Sequence, residues 1–108
     1  MAVELQEGEV IEQDFKGDYW EKFLFTYSQK TGSYQMTNQR IHFQGGFATI
    51  LDIPYSEITS VELCNVGPLI QFVPTGIKVT TKDGKIYKLS VMGRKTIFEY
   101  LQKKINQE

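Results

Sequence analysis

The chain has 108 residues, 41% hydrophobic and 13% aromatic, with 12 basic against 13 acidic side chains for a formal net charge of -1. That is enough chain to bury one core without disulfides or metal, and the composition excludes both a disordered chain and a strongly basic nucleic-acid binder. We therefore expect a single domain over residues 1–108. The only cysteine, Cys64, excludes an internal disulfide, and no apolar run approaches the roughly 20 residues needed to span a bilayer. An acidic opening segment stands where a basic and apolar leader would, so the expected location is the cytoplasm, with any membrane contact peripheral at its inner face. Seven of the 13 acidic residues lie between Glu4 and Glu21, and eight of the 12 basic ones lie from Lys78 onward. The simpler reading folds the acidic start beside the basic finish; the sharper one gives a basic face that binds an anion or a partner.

In chain order, Val10 and Ile11 follow Gly8 and read as a short edge strand. Phe23 and Phe25 alternate with Leu24 and Thr26 in a segment rich in strand formers, which predicts a strand from about Tyr19 to Ser28. Gln29-Lys30-Thr31-Gly32 then reads as a hairpin loop, with Tyr34 and Met36 marking the returning strand. Thr37-Asn38-Gln39 is the next turn, since asparagine tolerates turn dihedrals and bonds the local backbone. Ile41 and Phe43 face inward on the following strand, which points His42 outward as a solvated residue. Gly45-Gly46 turns into an apolar strand from Phe47 to Ile53 that Pro54 ends, and Ile58 to Leu63 adds another.

Between Cys64 and Gly76 the chain is apolar without alternation and carries two prolines. The first reading is a loop, with a short edge strand at Leu69 to Val73, packed over an open end of the core. The second is an exposed apolar loop, with Leu69, Ile70, Phe72 and Val73 meeting another subunit, a protein or a membrane interface.

Ile77 and Val79 alternate with Lys78 and Thr80, and Tyr87, Leu89 and Val91 with Lys88 and Ser90, as in two half-buried strands. A three-residue turn with left-handed Gly84 pairs Thr81 with Lys85 and keeps the apolar residues on one face. It also sets Lys78 opposite Lys88, a like-charge pair that Glu62 on the preceding strand offsets. The alternative is that Lys78, Lys82 and Lys88 together attract an anionic head group or an acidic partner. Ile97, Phe98, Leu101 and Ile105 then fall at helical spacing, with Lys103 and Lys104 in the last turn, where they suit the helix dipole. Strands first and helix last predict a mainly β fold, an antiparallel sheet closed at one end by a helix.

Glu7-Gly8-Glu9-Val10-Ile11, Tyr34 to Phe43 with its Thr37-Asn38-x-Arg40 turn, Ile53-Pro54-x-x-x-Ile58, and Lys82-Asp83-Gly84-Lys85 before the helix together resemble a bacterial GRAM or pleckstrin-homology-like (PH-like) domain over nearly the whole chain. The resemblance implies a PH-like barrel of about seven antiparallel strands, plugged by a C-terminal helix, that serves as a binding module for lipids or proteins. Phosphoinositide-binding members of such a family carry several basic residues around the first hairpin loop. Gln29 to Gly32 supplies only Lys30, with Lys22 nearby, so that site does not carry over.

The sequence supports no catalytic, metal or cofactor assignment. One histidine, His42, and one cysteine, Cys64, 22 positions apart, are too few for a metal site, and no basic cluster adjoins Cys64 to activate its thiol. Gly45-Gly46 lacks the strand-loop-helix setting of a phosphate loop. The expectation is a non-catalytic interaction module that binds a protein or an identical subunit. A peripheral module for anionic lipid is the alternative, and a small-ligand or catalytic barrel using His42 and Cys64 the remote third.

Overall fold

The structure, a computed structural model, describes residues 4–68 and 70–106; Leu69 lies outside them. Seven strands run in succession: β1 Ile11–Phe23, β2 Thr26–Thr37, β3 Arg40–Gly45, β4 Thr49–Pro54, β5 Ile58–Val66, β6 Val73–Thr81 and β7 Ile86–Val91, followed by helix α1 Arg94–Asn106. All pairings are antiparallel, in the spatial order β4-β3-β2-β1-β7-β6-β5. The sheet curls into a half-barrel whose β4 and β5 edges are not paired with one another. This is the expected architecture of about seven antiparallel strands and one terminal helix.

Curling follows from the side chains and from a row of glycines. Tyr34, Met36, Ile41, Phe43, Ile77, Val79 and Leu89 are fully enclosed on the concave face, and Ile97 and Leu101 of α1 close the core. The Tyr34 and Phe43 rings lie 4.7 Å apart, tilted as aromatic quadrupoles prefer. Gly17, Gly32 and Gly45 are cross-strand partners on β1, β2 and β3. A Cβ on Gly32 would stand 2.0 Å from the Gln44 carbonyl oxygen, so β2 and β3 approach there more closely than a side chain permits.

The β6–β7 hairpin has the expected register. Val79 pairs with Tyr87 and Lys78 with Lys88, Thr81 N–H donates to the Lys85 carbonyl at 3.0 Å, and Gly84 has φ 84°. Lys78 Nζ is 3.7 Å from Glu62 Oε1, its cross-strand neighbour on β5. The acidic start and basic finish also meet, since Glu12 and Lys104 pair at 2.6 Å.

Three expectations are corrected. The first strand is not a short edge element: β1 is 13 residues long and pairs with both β2 and β7. The first hairpin turns at Leu24-Phe25 rather than Gln29 to Gly32, which lie inside β2. Gly32 serves the close strand contact there instead of a turn. Finally, no edge strand spans residues 69 to 73 among the described residues; β5 extends to Val66 and Val73 opens β6.

Candidate functional site: an apolar tip and a buried polar row

The first hairpin ends in a two-residue turn, Leu24-Phe25, between the paired residues Phe23 and Thr26. Leu24 has φ 56°, a left-handed conformation that normally calls for glycine. The β5–β6 loop is bound to the hairpin by two bonds to one acceptor: Tyr27 N–H and Thr26 Oγ1 each donate to the Pro68 carbonyl at 2.9 Å. Two loops distant in sequence are thereby joined into one tip. Leu24 is 73% exposed, Phe25 95%, Ile70 74% and Phe72 69%. These four residues put apolar surface on the order of 500 Å² into solvent, in the range where patches on soluble proteins are often functional.

The predicted loop residues therefore divide. Ile70 and Phe72 stand in solvent on the tip, Val73 begins β6 at the limit of exposure, and the preceding Val66 is in the core. The packed-loop reading is thus corrected for Ile70 and Phe72: the Pro68 bonds hold the loop against the hairpin backbone and leave these side chains outside.

Of the predicted lysine patch, Lys78 and Lys88 are cross-strand partners, and Lys82 stands apart beyond the end of β6. Lys88 lies beside the tip, its Nζ 4.4 Å from the Tyr27 ring centroid and hydrogen-bonded to Gln71 Oε1. Lys78 is engaged by Glu62. Lys82 follows the far end of β6, nine residues and about 30 Å of strand from Val73. Lys22, the cross-strand partner of Tyr27, joins Lys88 at the tip instead.

A second cluster lies on the convex face. Asp14, Gln35, His42 and Asp52 are successive cross-strand partners on β1, β2, β3 and β4. His42 points outward as strand alternation requires, yet it is only 4% exposed and Gln35 8%. The solvated histidine expected from the sequence is thus corrected, because its row neighbours enclose it. His42 Nδ1 lies 2.6 Å from Asp52 Oδ1, and Gln35 Nε2 donates to Asp14 Oδ1 at 3.0 Å. Gln35 Oε1 and His42 Nε2 are buried without a partner among the described residues.

Arg40 continues this row to the N-terminal segment. Its Nη1 donates to Asp52 Oδ1 at 2.7 Å, its Nε to Glu9 Oε2 at 2.8 Å and its Nη2 to the Glu4 carbonyl at 2.7 Å. The Glu9 carboxylate also accepts Thr37 Oγ1 at 2.6 Å and the Gln6 N–H at 2.9 Å. The Arg40 bond above all, with the Thr37 hydroxyl and the Gln6 amide, holds the Glu9 pKa down to about 2 against the opposing effect of burial. Asn38 clasps the same segment, its Oδ1 accepting Val10 N–H at 2.9 Å and its Nδ2 donating to the Gly8 carbonyl at 3.1 Å. The Thr37-Asn38-x-Arg40 turn is therefore a grip on residues 4–10 as well as a strand connection.

Cys64 is half-buried on β5, and burial raises its thiol pKa. Among the described residues no group of three His, Cys, Asp or Glu side chains is arranged to hold a metal, and no helix is long and apolar enough to cross a membrane.

Fold and surface together define a mainly β half-barrel closed by one helix, with an apolar tip of two bound loops at one end. No family model matches the chain, and no curated protein does. Among solved structures it is similar to the C-terminal domain of an unknown protein from Leishmania infantum, with a TM-score of 0.74 at 20% identity over 92% of this chain and 86% of that one. At that identity the likeness shows the fold alone.

Proposed function

We propose that this chain is a non-catalytic interaction module of the PH-like or GRAM type, which binds a protein partner or a second copy of itself through the apolar tip. One observation carries the reading: Leu24, Phe25, Ile70 and Phe72 all stand exposed on two loops hydrogen-bonded together through Pro68. Burying one phenylalanine is worth about 1.5–3 kcal/mol, so a groove that takes Phe25 and Phe72 gains enough for specific binding. A non-catalytic role is supported by the half-buried Cys64, whose thiol burial disfavours the thiolate. We assign this work to the cytoplasm.

A second reading, peripheral binding to anionic lipid, is favoured by Lys22 and Lys88 flanking Tyr27 just behind the tip. Apolar insertion and electrostatic attraction would then act at one end of the molecule, at the inner face of a membrane.

Sedimentation separates the two. Sedimentation velocity from about 1 μM to about 1 mM covers the affinities of weak dimers, and vesicle pelleting compares neutral with anionic lipid at low and high salt. A dimer abolished by Phe25→Ser supports the second copy. Pelleting on anionic vesicles alone, reversed by salt and by Phe25→Ser, supports lipid. Wild type and Phe25→Ser that remain monomeric and stay in the supernatant throughout exclude both, leaving a different protein as the partner.

A further inference from the structure

A sheet that stops short of closing leaves two outer strands, and β4 and β5 are not alike. Tyr27 N–H points off the β1 ladder to the Pro68 carbonyl, so by alternation Ser33 and Gln35 bond β3 through their partners Gln44 and His42. Ile41, Phe43 and Gly45 then bond β4 through Ile53, Leu51 and Thr49, which leaves the N–H and C=O of Ile50 and Asp52 directed away from the sheet. Among the described residues no strand pairs with them. Edges are ordinarily blunted by bulges or lysines. β5 follows that rule, since its register with β6 shifts twice and Arg94 Nη1 holds the Cys64 carbonyl at 3.0 Å. β4 carries no lysine, and its register with β3 is unbroken from Thr49 to Pro54.

Two cavities open along β4. The first, of about 320 Å³, lies over the cross-strand row Ser33, Gln44 and Ile50 and reaches Ala48. Ile50 stands 53% exposed on its rim. The second, of about 140 Å³, fills the seam between β4 and the β6–β7 hairpin and is lined by Asp52, Pro54, Glu57, Thr81, Asp83 and Tyr87. Three of these side chains are carboxylates, and no cation lines the cavity. Arg40 pairs with Asp52, and Lys82 and Lys85 flank Asp83 in the chain, whereas Glu57 has no ion pair among the described residues.

We propose that β4 is a strand-addition edge for an extended segment of another protein. The segment pairs with Ile50 and Asp52, sets an apolar side chain against Ile50 and the larger cavity, and puts a lysine or arginine two residues away into the acidic seam. Only an extended chain presents N–H and C=O groups at the two-residue repeat that Ile50 and Asp52 set. A second copy does not supply this segment, because its own free edges, Thr49–Pro54 and Ile58–Val66, contain no basic residue. The surface shares no residue with the apolar tip.

The test uses the whole chain and, as probe, a phage-displayed library of random dodecapeptides. Peptides that bind wild type and still bind Phe25→Ser are synthesised, and their affinity is read by fluorescence anisotropy. They should combine alternating apolar residues with a lysine or arginine at fixed spacing. Ile50→Lys places a charge on the edge and Glu57→Lys reverses one in the seam; both positions are exposed, and each change should weaken binding about tenfold. With peptide at about ten times its Kd, amide hydrogen exchange at Ile50 and Asp52 should slow about tenfold. A selection that yields no peptide independent of Phe25, an affinity unchanged by Ile50→Lys, or a bound peptide that leaves both amides unprotected overturns the proposal. So does protection of these amides in the protein alone that rises with its concentration, which would seat a second copy on the edge. Should Ile50→Lys fail to fold, amide exchange in wild type decides.

Discussion

Glu9→Gln keeps the shape of the side chain that pins the N-terminal segment and removes its charge. In the folded protein this carboxylate accepts from Arg40 Nε and Nη2, Thr37 Oγ1 and Gln6 N–H, and its side chain has no exposed surface. Its pKa falls from the ordinary 4.5 to about 2, mainly through the Arg40 bond. A shift of that size sets a ceiling of about 3 kcal/mol on the stabilisation at neutral pH. The Arg40 side chain keeps 15% of its surface in water, which screens the pair, so the expected loss is about 2 kcal/mol. Because the folded pKa is the lower one, this stabilisation is complete above about pH 4.5 and is lost as pH falls toward about 2. Urea unfolding of wild type and Glu9→Gln, followed by the fluorescence of the single tryptophan, Trp20, measures the gap at about pH 7 and again near pH 2. The gap should nearly close at the lower pH. A difference under about 0.5 kcal/mol at pH 7, the size of an ordinary surface change, or one that persists undiminished at low pH, refutes the reasoning.

Other substitutions test the rest of the account. Gly32→Ala drives a Cβ into the Gln44 carbonyl and should cost about 3 kcal/mol or more by thermal or urea unfolding; a loss below about 1 kcal/mol would mean the strands separate there at little cost. Leu24→Gly relieves a left-handed leucine that is 73% exposed and should raise stability by about 1 kcal/mol, since the steric gain exceeds the added chain entropy. Lys78 and Glu62 form an exposed pair at 3.7 Å, so a double-mutant cycle should return a coupling below about 0.5 kcal/mol that vanishes in high salt. Leu101→Ala empties a fully buried position where α1 meets the sheet and should cost about 3 kcal/mol.

The parts legible in the sequence are those governed by local periodicity. The alternation of Ile77, Val79, Tyr87 and Leu89 sets faces that a one-residue slip would mix, and Gly84 marks the left-handed turn, so the hairpin register could be read directly. The helix stripe of Ile97, Phe98, Leu101 and Ile105 needed a sheet to cover it and has one. The first hairpin was obscured because its turn contains neither glycine, asparagine nor aspartate: Phe23-Leu24-Phe25 looks like strand interior, while Gly32 mimics a turn seven residues later. That displacement also conceals half of the tip, since Leu24 and Phe25 read as strand residues in the sequence. Only the break in alternation at three successive apolar residues hints at it.

The polar row was legible in register and illegible in burial. Alternation directs His42 outward, but its environment comes from Gln35 and Asp52 on neighbouring strands, and Arg40 reaches a glutamate 31 residues earlier. Such pairings are long-range and leave no mark on the spacing of one strand. The Glu7-Gly8-Glu9 and Thr37-Asn38-x-Arg40 segments were conspicuous in the sequence; that one grips the other required three dimensions.

The central claim, that the tip is the binding surface, is tested most directly by site-specific photo-crosslinking in the native host, with the photoreactive residue at position 25 and a control at exposed Gln102, on α1. The account predicts a discrete adduct from position 25 that is absent from position 102 and is lost when Phe72→Ser is added. An adduct of twice the 12.5 kDa chain identifies a second copy, and a different mass identifies another protein. No adduct from position 25, or equal adducts from both positions, would contradict the claim.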